Sequence, residues 1–308
     1  MDELVERFLG SIKRSSTLKV YRRGLELFQS YYGGSFHGFL EAVLEDVSKP
    51  PLEKRHVARD AIAGFAEWLS RRGCQPKTIR AYAAAVQACA NYYDIPISVR
   101  YARLPKAVPQ SKKYPWTVED VEKFVQLIDD PLYQSIAVSL FQSGLSISDL
   151  LKLRYDDIRI EYEKSITPLC LDMYRMKTDV PFMTFIGAWG VNMLSKYLEE
   201  YDRANIKPDE PLYPVTARAV EKVFQRITYK TIGGYKGKNP LRPHSLRAAF
   251  RTLLADAKMP SQEIEFFMGH KLPDQQRVYM SRSREGWRQL YRKYEHALTP
   301  PSLRHLLS

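Results

Sequence analysis

The chain has 308 residues, 44% hydrophobic and 27% charged, a composition typical of a globular protein with room for two domains. Its 47 Lys and Arg residues exceed its 35 Asp and Glu residues. The resulting net charge of +12 favours a polyanionic partner, and nucleic acid over an anionic membrane. No stretch approaches the ~18 consecutive apolar residues that span a bilayer. The opening MDELVERFLG carries acidic residues where a signal peptide would be basic.

The three cysteines, Cys74, Cys89 and Cys170, are odd in number and widely spaced. This spacing predicts neither a disulfide framework nor a zinc site, and it favours reduced thiols. We therefore expect a cytoplasmic or nucleoid-associated protein that neither enters a membrane nor is secreted.

Residues 1–103 are predicted to form four or five helices. Ser15, Ser16 and Thr17 are candidate N-caps of a helix whose apolar residues recur at helical spacing up to Tyr32. Further helices are predicted over 36–47, 52–69 and 76–93, with Pro and Gly residues between them. The aromatic stripes on these helices are typical of a core rather than of a surface on which bases stack.

Residues 104–114 have the composition of a linker, with prolines, basic residues and little apolar periodicity. The second domain, 115–308, is predicted to begin with a helix capped by Thr117, followed by an apolar helix that ends at Gly144. Two strands are predicted over 166–173 and 180–186. Helices follow over 189–201 and 217–229, and again from residue 241 onwards. The tail from Arg284 is predicted to be a basic helix followed by a short apolar segment.

Four polar residues stand out in the largely apolar stretch 241–279. His244 and Arg247 are three residues apart and share one face of a helix, His270 follows a glycine turn, and Tyr279 comes nine residues later. Each also has a plain structural interpretation: a helix entry with proline in its first turn, a capping histidine, one of 20 tyrosines. Together they would provide a cation, two imidazoles and a phenol, a combination able to hold a phosphate and attack it.

The order H-x-x-R, then G-H, then a tyrosine resembles the C-terminal signature of the tyrosine recombinase (phage-type integrase) family. The resemblance covers most of the chain and implies a mainly α fold. It would comprise a helical N-terminal core-binding domain that clasps DNA (1–103), a basic linker (104–114) and a mixed catalytic domain with a small β-sheet and a tail helix (115–308).

The resemblance also implies a role for each residue. Tyr279 would be the nucleophile that forms a 3′-phosphotyrosyl bond, Arg247 would bind the non-bridging oxygens, and His244 and His270 would exchange a proton or donate hydrogen bonds. Lys177, in the turn between the two strands, matches the hairpin lysine and would be the general acid, with Lys164 as its nearest competitor. Such chemistry needs neither ATP nor a metal ion, and we expect no cofactor.

One position departs from the family pattern. The family has approximately G-L-R-I-S-E-L, whose arginine is a second phosphate clamp, whereas this chain has Ser146 in its place within GLSISDL. Losing such a clamp costs on the order of 10²–10³ in rate. Three explanations remain open: an introduced substitution, a natural paralogue that binds DNA but cuts poorly, or another base that reaches the phosphate, the candidates being Arg154, Arg175 and Arg277.

The expected function is site-specific recombination of double-stranded DNA, such as integration or excision of a mobile element. By resemblance, a homo-tetramer would assemble on DNA from free monomers or dimers, with the tail as a subunit contact. Two alternatives remain: a DNA-binding architectural or regulatory protein on a recombinase scaffold, and a type IB topoisomerase-like enzyme. The candidate DNA-binding residues are Lys13, Arg14, Lys19, Arg22, Lys77, Arg80, Lys112, Lys113, Lys236, Lys238 and Arg242.

Overall fold

The structure is a computed structural model that describes residues 2–98, 102–106, 114–176, 180–201, 206–231, 241–273 and 282–307, without the side chains of 229–231. The chain divides into two compact units, residues 1–110 and 111–308. The predicted fold class, mainly α with a small sheet, is confirmed. The roles and limits predicted for the two domains stay predictions.

The first unit contains five helices among its described residues: α1 (Glu3–Gly10), α2 (Ser15–Tyr32), α3 (Phe36–Ser48), α4 (Val57–Arg71) and α5 (Pro76–Tyr92). Phe28 lies at the centre of their core, where it makes edge contacts with Phe36, Phe39 and Phe65. All four rings are fully buried. The aromatic stripes of this unit therefore form its core, because such large apolar rings gain most by leaving water.

Two predicted helix starts in this unit are wrong. Helix α2 begins at Ser15 with Arg14 at the N-cap position and no side-chain cap, so the predicted capping residues lie inside the first turn. Helix α4 begins at Val57 rather than at residue 52. Buried Asp46 accepts hydrogen bonds from the backbone N–H groups of Arg55 and Val57, 2.5 and 3.0 Å away, and these bonds hold the preceding segment in a turn.

The second unit comprises helices, a two-stranded sheet and 3₁₀ turns. Its α-helices are α6 (Val118–Gln126), α7 (Pro131–Ser143), α8 (Ile147–Leu150), α9 (Arg159–Glu163), α10 (Ala188–Glu200), α11 (Ala217–Thr231), α12 (Pro243–Asp256), α13 (Ser261–Phe267) and α14 (Arg284–Tyr294). Its strands are β1 (Leu169–Tyr174) and β2 (Pro181–Ile186), and its 3₁₀ helices are Tyr155–Asp157, Glu295–Leu298 and Pro301–Leu307.

Helix α7 lies in the middle of this unit and is buried on almost every side. Its polar residues are satisfied inside the core: Ser135 and Ser139 share the hydroxyl of Tyr213, and Gln142 bonds the backbone of Gly190 and Leu298. Such partners are needed because a buried polar group without one is unfavourable. The helix ends at Gly144, whose φ of +64° turns the chain towards α8.

The hairpin is antiparallel and pairs Leu169 with Ile186 and Tyr174 with Pro181, which places Arg175 at the start of its turn. Strand β1 begins at Leu169 rather than at residue 166. Pro168 follows a cis peptide bond and lacks the N–H that a strand ladder requires, and the N–H of Ile166 bonds Glu161 instead.

The tail packs on its own unit. Helix α14 continues directly into the 3₁₀ helix Glu295–Leu298, and Leu303 of the last 3₁₀ helix lies against the core. Ser302 Oγ donates to Glu122 at 2.5 Å. No helix in the described part of the chain combines the length and apolar character that a membrane crossing requires.

Candidate active site

Arg247 is the most enclosed charged residue of the predicted site. Helix α12 begins with Pro243 in its first turn, so Arg247 lies one turn further along, where its side chain is 3% exposed. Its Nη1 donates to the carbonyl of Gly144, and its Nη2 donates to the carbonyl of Met268 at 2.6 Å. Arg247 therefore joins the end of α7 to the end of α13 and has a fixed position.

His270 is brought next to this arginine by the turn after α13. Gly269 adopts φ +63°, and a Cβ on it would lie 2.8 Å from the ring of Phe182. This turn therefore requires glycine. The Nε2 of His270 lies 3.0 Å from Nη2 of Arg247, while its Nδ1 contacts the carboxylate of Glu265. Because a carboxylate only accepts, Nδ1 carries the proton and Nε2 accepts from Arg247 when the imidazole is neutral.

The pKa values of this group reflect its burial. Burial, and next the charge of Arg175, lower the pKa of Arg247 to about 10, which leaves it charged at neutral pH. Burial also lowers the pKa of His270, and the hydrogen bond with Glu265 opposes that shift. Burial alone would raise the pKa of Glu265, but hydrogen bonds from His270 and Arg251 outweigh it and leave that pKa below its ordinary value. The free site therefore favours a neutral His270 beside a charged Arg247.

Ser146 serves as the N-cap of α8. Its Oγ donates to Asp149 Oδ2 at 2.6 Å, lies 2.9 Å from Ser148 Oγ, and accepts from the backbone N–H of Asp149 at 3.3 Å. Asp149 is 2% exposed, and its other oxygen accepts from the backbone N–H of Met176 in the hairpin turn, 3.1 Å away. The serine therefore brings no charge, and its hydroxyl holds a carboxylate that ties α8 to the hairpin.

Arg175, at the start of the hairpin turn, reaches the turn after α13 that carries His270. Its Nη1 donates to the carbonyl oxygens of Met268 and Gly269, 2.8 and 3.2 Å away. Met268 thus accepts from both Arg175 and Arg247. The Nε of Arg175 is buried and has no hydrogen-bond partner within the part of the chain that the structure describes. Two guanidinium groups therefore converge on the turn that carries His270.

The other predicted residues are distributed as follows. His244 lies exposed in the first turn of α12, and Arg242 is exposed just before it. Lys177 and Tyr279 lie outside the described residues, as do Arg277, Lys112, Lys113, Lys236 and Lys238. Lys164 is exposed at the end of α9. Arg154 is exposed where its backbone forms a bridge with Pro211. The structure thus brings together Arg247, His270 and the turn of Ser146.

Of the DNA-binding candidates in the first unit, five are exposed: Lys13, Arg14, Lys19, Lys77 and Arg80. Arg22 is half-buried, and its guanidinium makes two hydrogen bonds with Glu6, 2.9 and 3.2 Å long. The charge of Arg22 is thus balanced within the unit. DNA binding by all of these residues stays a prediction.

Helix α14 is anchored to the hairpin side of the unit by a buried ion pair. Arg288, 4% exposed, binds Glu161 through Nη2 at 2.7 Å and also donates to the carbonyl of Pro168. Arg284 on the same helix lies 3.2 Å from Asp172 of β1. The start of α14 is therefore fixed relative to β1.

Two residues of the site were not predicted from the sequence. Glu265 orients His270, and Asp149 links Ser146 to the hairpin. The pattern Ser146-x-x-Asp149 has the spacing of a capping box and could have indicated the second. Among the described residues, no group of three or more His, Cys, Asp and Glu side chains is arranged to hold a metal ion.

The profile of the phage integrase family matches residues 116–286, more than half of the chain and the unit that holds this site. The chain belongs to the phage integrase family. The predicted family and enzyme class, a tyrosine recombinase, are therefore confirmed. The chain is 23% identical to tyrosine recombinase XerD of Listeria monocytogenes serovar 1/2a, over 96% of this chain and 99% of that protein. It is also 23% identical to tyrosine recombinase XerA of Pyrococcus furiosus, over 78% and 80%.

Solved structures support the fold of this phage integrase family member. The Tn1549 transposon integrase in complex with transposon right end DNA matches with a TM-score of 0.63 and 17% identity, over 94% of this chain and 98% of that one. A lambda integrase dimer bound to a COC′ core site matches with a TM-score of 0.58 and 17% identity, over 91% and 94%. The recombinase-like architecture is therefore confirmed, and neither the architectural nor the topoisomerase alternative is favoured.

Proposed function

We propose that this phage integrase family member cleaves and rejoins double-stranded DNA at a specific site through a 3′-phosphotyrosyl bond to Tyr279. The observation that carries the proposal is the contact between the Arg247 guanidinium and the His270 imidazole, 3.0 Å apart at the end of α7. A charged guanidinium beside an imidazole that can take up a proton at Nε2 suits the non-bridging oxygens of a phosphodiester. The relatives support it, because they are tyrosine recombinases.

In the proposed step, Tyr279 Oη attacks the scissile phosphorus. The Oη–P bond forms and the P–O5′ bond breaks. The tyrosine proton passes to a base, for which His244 is the candidate, while Lys177 gives a proton to the leaving 5′ oxygen. Arg247 binds a non-bridging oxygen. His270 donates to another once the phosphate replaces Arg247 as its partner and Nε2 is protonated. The same steps in reverse rejoin the DNA.

Substrate can reach His270 from outside. The imidazole side chain is 37% exposed and lines a pocket of about 330 Å³ between β2, α13 and α14. Phe182, Phe266 and Trp287 form apolar walls of this pocket. Arg282 and Asp172 also line it, and the Arg282 guanidinium lies 3.4 Å from a carboxylate oxygen of Glu263. The pocket thus offers an apolar surface beside the imidazole rather than a net positive charge, which suits the base or sugar of a nucleotide.

The proposed partner is duplex DNA, consistent with the net charge of +12 and the exposed basic residues of the first unit. We also propose assembly as a homo-tetramer on DNA, with the tail released from its own unit to contact a neighbour, and a cytoplasmic or nucleoid-associated location. The match to a transposon integrase favours a role with a mobile element. Hairpin Lys177 as the general acid and Tyr279 as the nucleophile are part of this proposal.

Covalent selection tests the proposal and identifies the target sequence in the same experiment. A pool of nicked duplexes with randomised flanks is incubated with the chain, and DNA that stays attached through a denaturing wash is amplified over several rounds. The nick lets the short cleaved fragment leave, so the adduct accumulates. We expect one sequence to be enriched and Tyr279→Phe to form no adduct with it. Absence of an adduct from both the unmodified chain and Ser146→Arg, despite tight binding, would overturn the proposal.

The recovered duplex then separates the two enzyme classes. Two copies of the site should give four-stranded junctions and exchanged products if the chain is a recombinase. Relaxation of supercoiled DNA without junctions would instead assign the chain to the topoisomerase class.

A further inference from the structure

At the turn of Ser146, the positive charge of the family's arginine is missing, and the serine does not replace it. Its hydroxyl already donates to buried Asp149 and caps α8. A neutral hydroxyl would in any case bind a phosphate oxygen much less strongly than a guanidinium does. For the function proposed above, a second cation for the scissile phosphate would have to come from another element.

Arg175 has the geometry to supply this cation. Its Nη1 lies 2.8 Å from the carbonyl oxygen of Met268, and Nη2 of Arg247 lies 2.6 Å from the same oxygen. The two guanidinium groups thus share one acceptor at the turn that carries His270. Arg154, in contrast, is exposed where its backbone pairs with Pro211, and it makes no hydrogen bond with Arg247 or His270 among the described residues.

The charges around these two groups favour an incoming anion. Asp149, the nearest carboxylate on α8, is occupied by Ser146 and the backbone of Met176. Glu265 is occupied by His270 and Arg251. The acceptors of both arginines, apart from the imidazole, are neutral carbonyls, and the charge of Arg175 contributes to the lowered pKa of Arg247. The carboxylates of Asp149 and Glu265 oppose this shift of the pKa, but neither forms an ion pair with Arg175 or Arg247 among the described residues. The two neighbouring guanidinium groups therefore gain when a phosphate binds them both.

The guanidinium of Arg175 also has unused hydrogen-bonding capacity. Its Nε is buried without a partner in the described part of the chain, an unfavourable state for an N–H donor. The bond from the N–H of Met176 to Asp149 fixes the backbone next to Arg175. The backbone of the hairpin turn is therefore held in place, while the guanidinium of Arg175 can gain a hydrogen bond by turning towards a new acceptor.

We propose that Arg175 takes the place of the arginine missing at position 146, so that Arg175 and Arg247 together bind the non-bridging oxygens of the scissile phosphate. The proposal rests on the function proposed above. It moves the second phosphate clamp from the start of α8 to the hairpin, two residues from Lys177.

The test measures adduct formation on the nicked duplex recovered by covalent selection, under single-turnover conditions. Arg175→Ala is expected to lower the rate on the order of 10²–10³-fold. Arg154→Ala, which removes the competing cation, is the matched control and is expected to leave the rate unchanged. The double variant Ser146→Arg, Arg175→Ala is expected to recover most of the loss, because the guanidinium returns from the other element.

A methylphosphonate at the scissile position separates phosphate binding from a merely structural role. This linkage lacks the negative charge of the diester, so it has less need of a cationic clamp. The deficit of Arg175→Ala should therefore shrink on the methylphosphonate, whereas a distorted site would be slow on both linkages. If Arg175→Ala does not fold, Arg175→Lys replaces it, since lysine keeps the charge and loses the bidentate fork, and its smaller deficit should shrink likewise.

An adduct that forms at the unmodified rate in Arg175→Ala overturns the assignment of Arg175, and so does an equal deficit on both linkages. A loss seen with Arg154→Ala in place of Arg175→Ala assigns the clamp to Arg154 instead. Failure of the underlying function looks different, because the unmodified chain itself would then form no adduct.

Discussion

The turn of His270 and the turn of Ser146 are two halves of one site built in different ways. At the first, a buried guanidinium has the carbonyls of Gly144 and Met268 and the imidazole of His270 as partners. At the second, Ser146 caps a short helix, and its hydroxyl donates a hydrogen bond to the buried carboxylate of Asp149. In the first half, the cation is Arg247, at its motif position on α12. In the second half, the motif position at the start of α8 holds the neutral Ser146.

If Arg175 is the second clamp as proposed, a motif position and its function need not coincide. The turn of Ser146 keeps a helix cap and a buried carboxylate, which are structural tasks. The cation that shares an acceptor with Arg247 and lowers its pKa comes from the hairpin. A site of this kind can lose a charge at one position when another element already passes close by. Substitutions in each half measure how much each one contributes to adduct formation and to the free energy of unfolding.

Arg247→Ala should have the largest effect, since it removes the only guanidinium that the motif and the structure both place at the site among the described residues. Adduct formation on the recovered duplex should fall on the order of 10²–10³-fold. The unfolding free energy should also fall by about 1–3 kcal/mol, because the carbonyl of Gly144 loses its donor and that of Met268 keeps only Arg175. Single-turnover kinetics and urea unfolding measure the two effects.

Arg226→Ala, on α11 of the same unit, is a control for loss of positive charge alone. It should leave both quantities close to those of the unmodified chain. Equal losses from the two variants would mean that Arg247 acts only through the general field of the protein, and the contrast between the two halves would disappear.

Gly144→Ala should come next, because this residue joins the two halves. Gly144 has φ +64°, its carbonyl accepts from Arg247, and an added Cβ would lie 2.5 Å from the ring of Phe250. The left-handed conformation costs about 1–2 kcal/mol, and overpacking adds about 1–3 kcal/mol. Urea unfolding should show the sum, about 2–5 kcal/mol, for the second unit.

Gly33→Ala is the matched control. Gly33 ends α2 with φ +74°, and an added Cβ would meet nothing within 4 Å. Only the backbone cost of about 1–2 kcal/mol should remain, in the transition of the first unit. If the two substitutions cost the same, the contact with Phe250 is not limiting, and the geometry of the turn tolerates more than this structure indicates.

The fold was largely predictable, since it follows from local patterns. Apolar residues at helical spacing, with Pro and Gly between the runs, predicted nearly all of the helices, and Thr117 and Gly144 were predicted as the cap and the stop that the structure contains. One error arose from a contact outside the helix concerned. The start of α4 is set by Asp46, which belongs to α3, and no periodicity within α4 indicates it.

The site was predictable only as far as its motif extends. The spacing of His244, Arg247 and His270 indicated the site, but three contacts depend on the folded chain: Glu265 on His270, Asp149 on Met176 and Arg175 on Met268. Arg175 and Met268 are 93 residues apart, and a single sequence does not show that they meet. From the sequence, Arg175 could be named only as one of three candidate cations. The structure distinguishes it from Arg154, because Arg175 contacts the turn that carries His270.

Ser146→Ala tests the half of the site at the turn of Ser146. It should lower the unfolding free energy by about 1–2 kcal/mol, because α8 loses its cap and the buried carboxylate of Asp149 loses a donor. Adduct formation should change by less than about 10-fold, since a neutral hydroxyl is not a phosphate clamp. Urea unfolding and single-turnover kinetics measure these.

Thr117→Ala removes a cap of the same kind from α6. It should cost about 1 kcal/mol, less than Ser146→Ala, because no buried carboxylate depends on Thr117. A loss of activity in Ser146→Ala as large as that in Arg247→Ala would instead make the serine a direct partner of the phosphate.

Glu265→Gln should have the smallest effect and tests the stronger half through its pH dependence. Burial lowers the pKa of His270 and the contact with Glu265 opposes this, so the pKa of His270 should fall further in the variant. In the unmodified chain, both His270 and Glu265 have pKa values below their ordinary ones, so the folded state binds their protons more weakly than the unfolded state. The stability that Glu265 contributes is therefore present above its unfolded pKa of about 4.3 and is lost as the pH falls through its folded pKa.

Between pH 7 and pH 5 the carboxylate stays ionised in both states, and the imidazole decides the change. Glu265→Gln should therefore lose more stability than the unmodified chain over this range, because the folded variant binds the proton of His270 still more weakly. The difference should be about 1 kcal/mol or less, because both side chains are partly exposed. NMR titration of the imidazole, assigned with His270→Gln, and urea unfolding at pH 7 and pH 5 measure the two effects. Glu163→Gln, an exposed carboxylate of the same unit, should leave the titration of His270 unchanged. A raised pKa of His270 in Glu265→Gln would contradict the hydrogen bond between them, and it would leave Arg247 as the only determinant of the imidazole's position among the described residues.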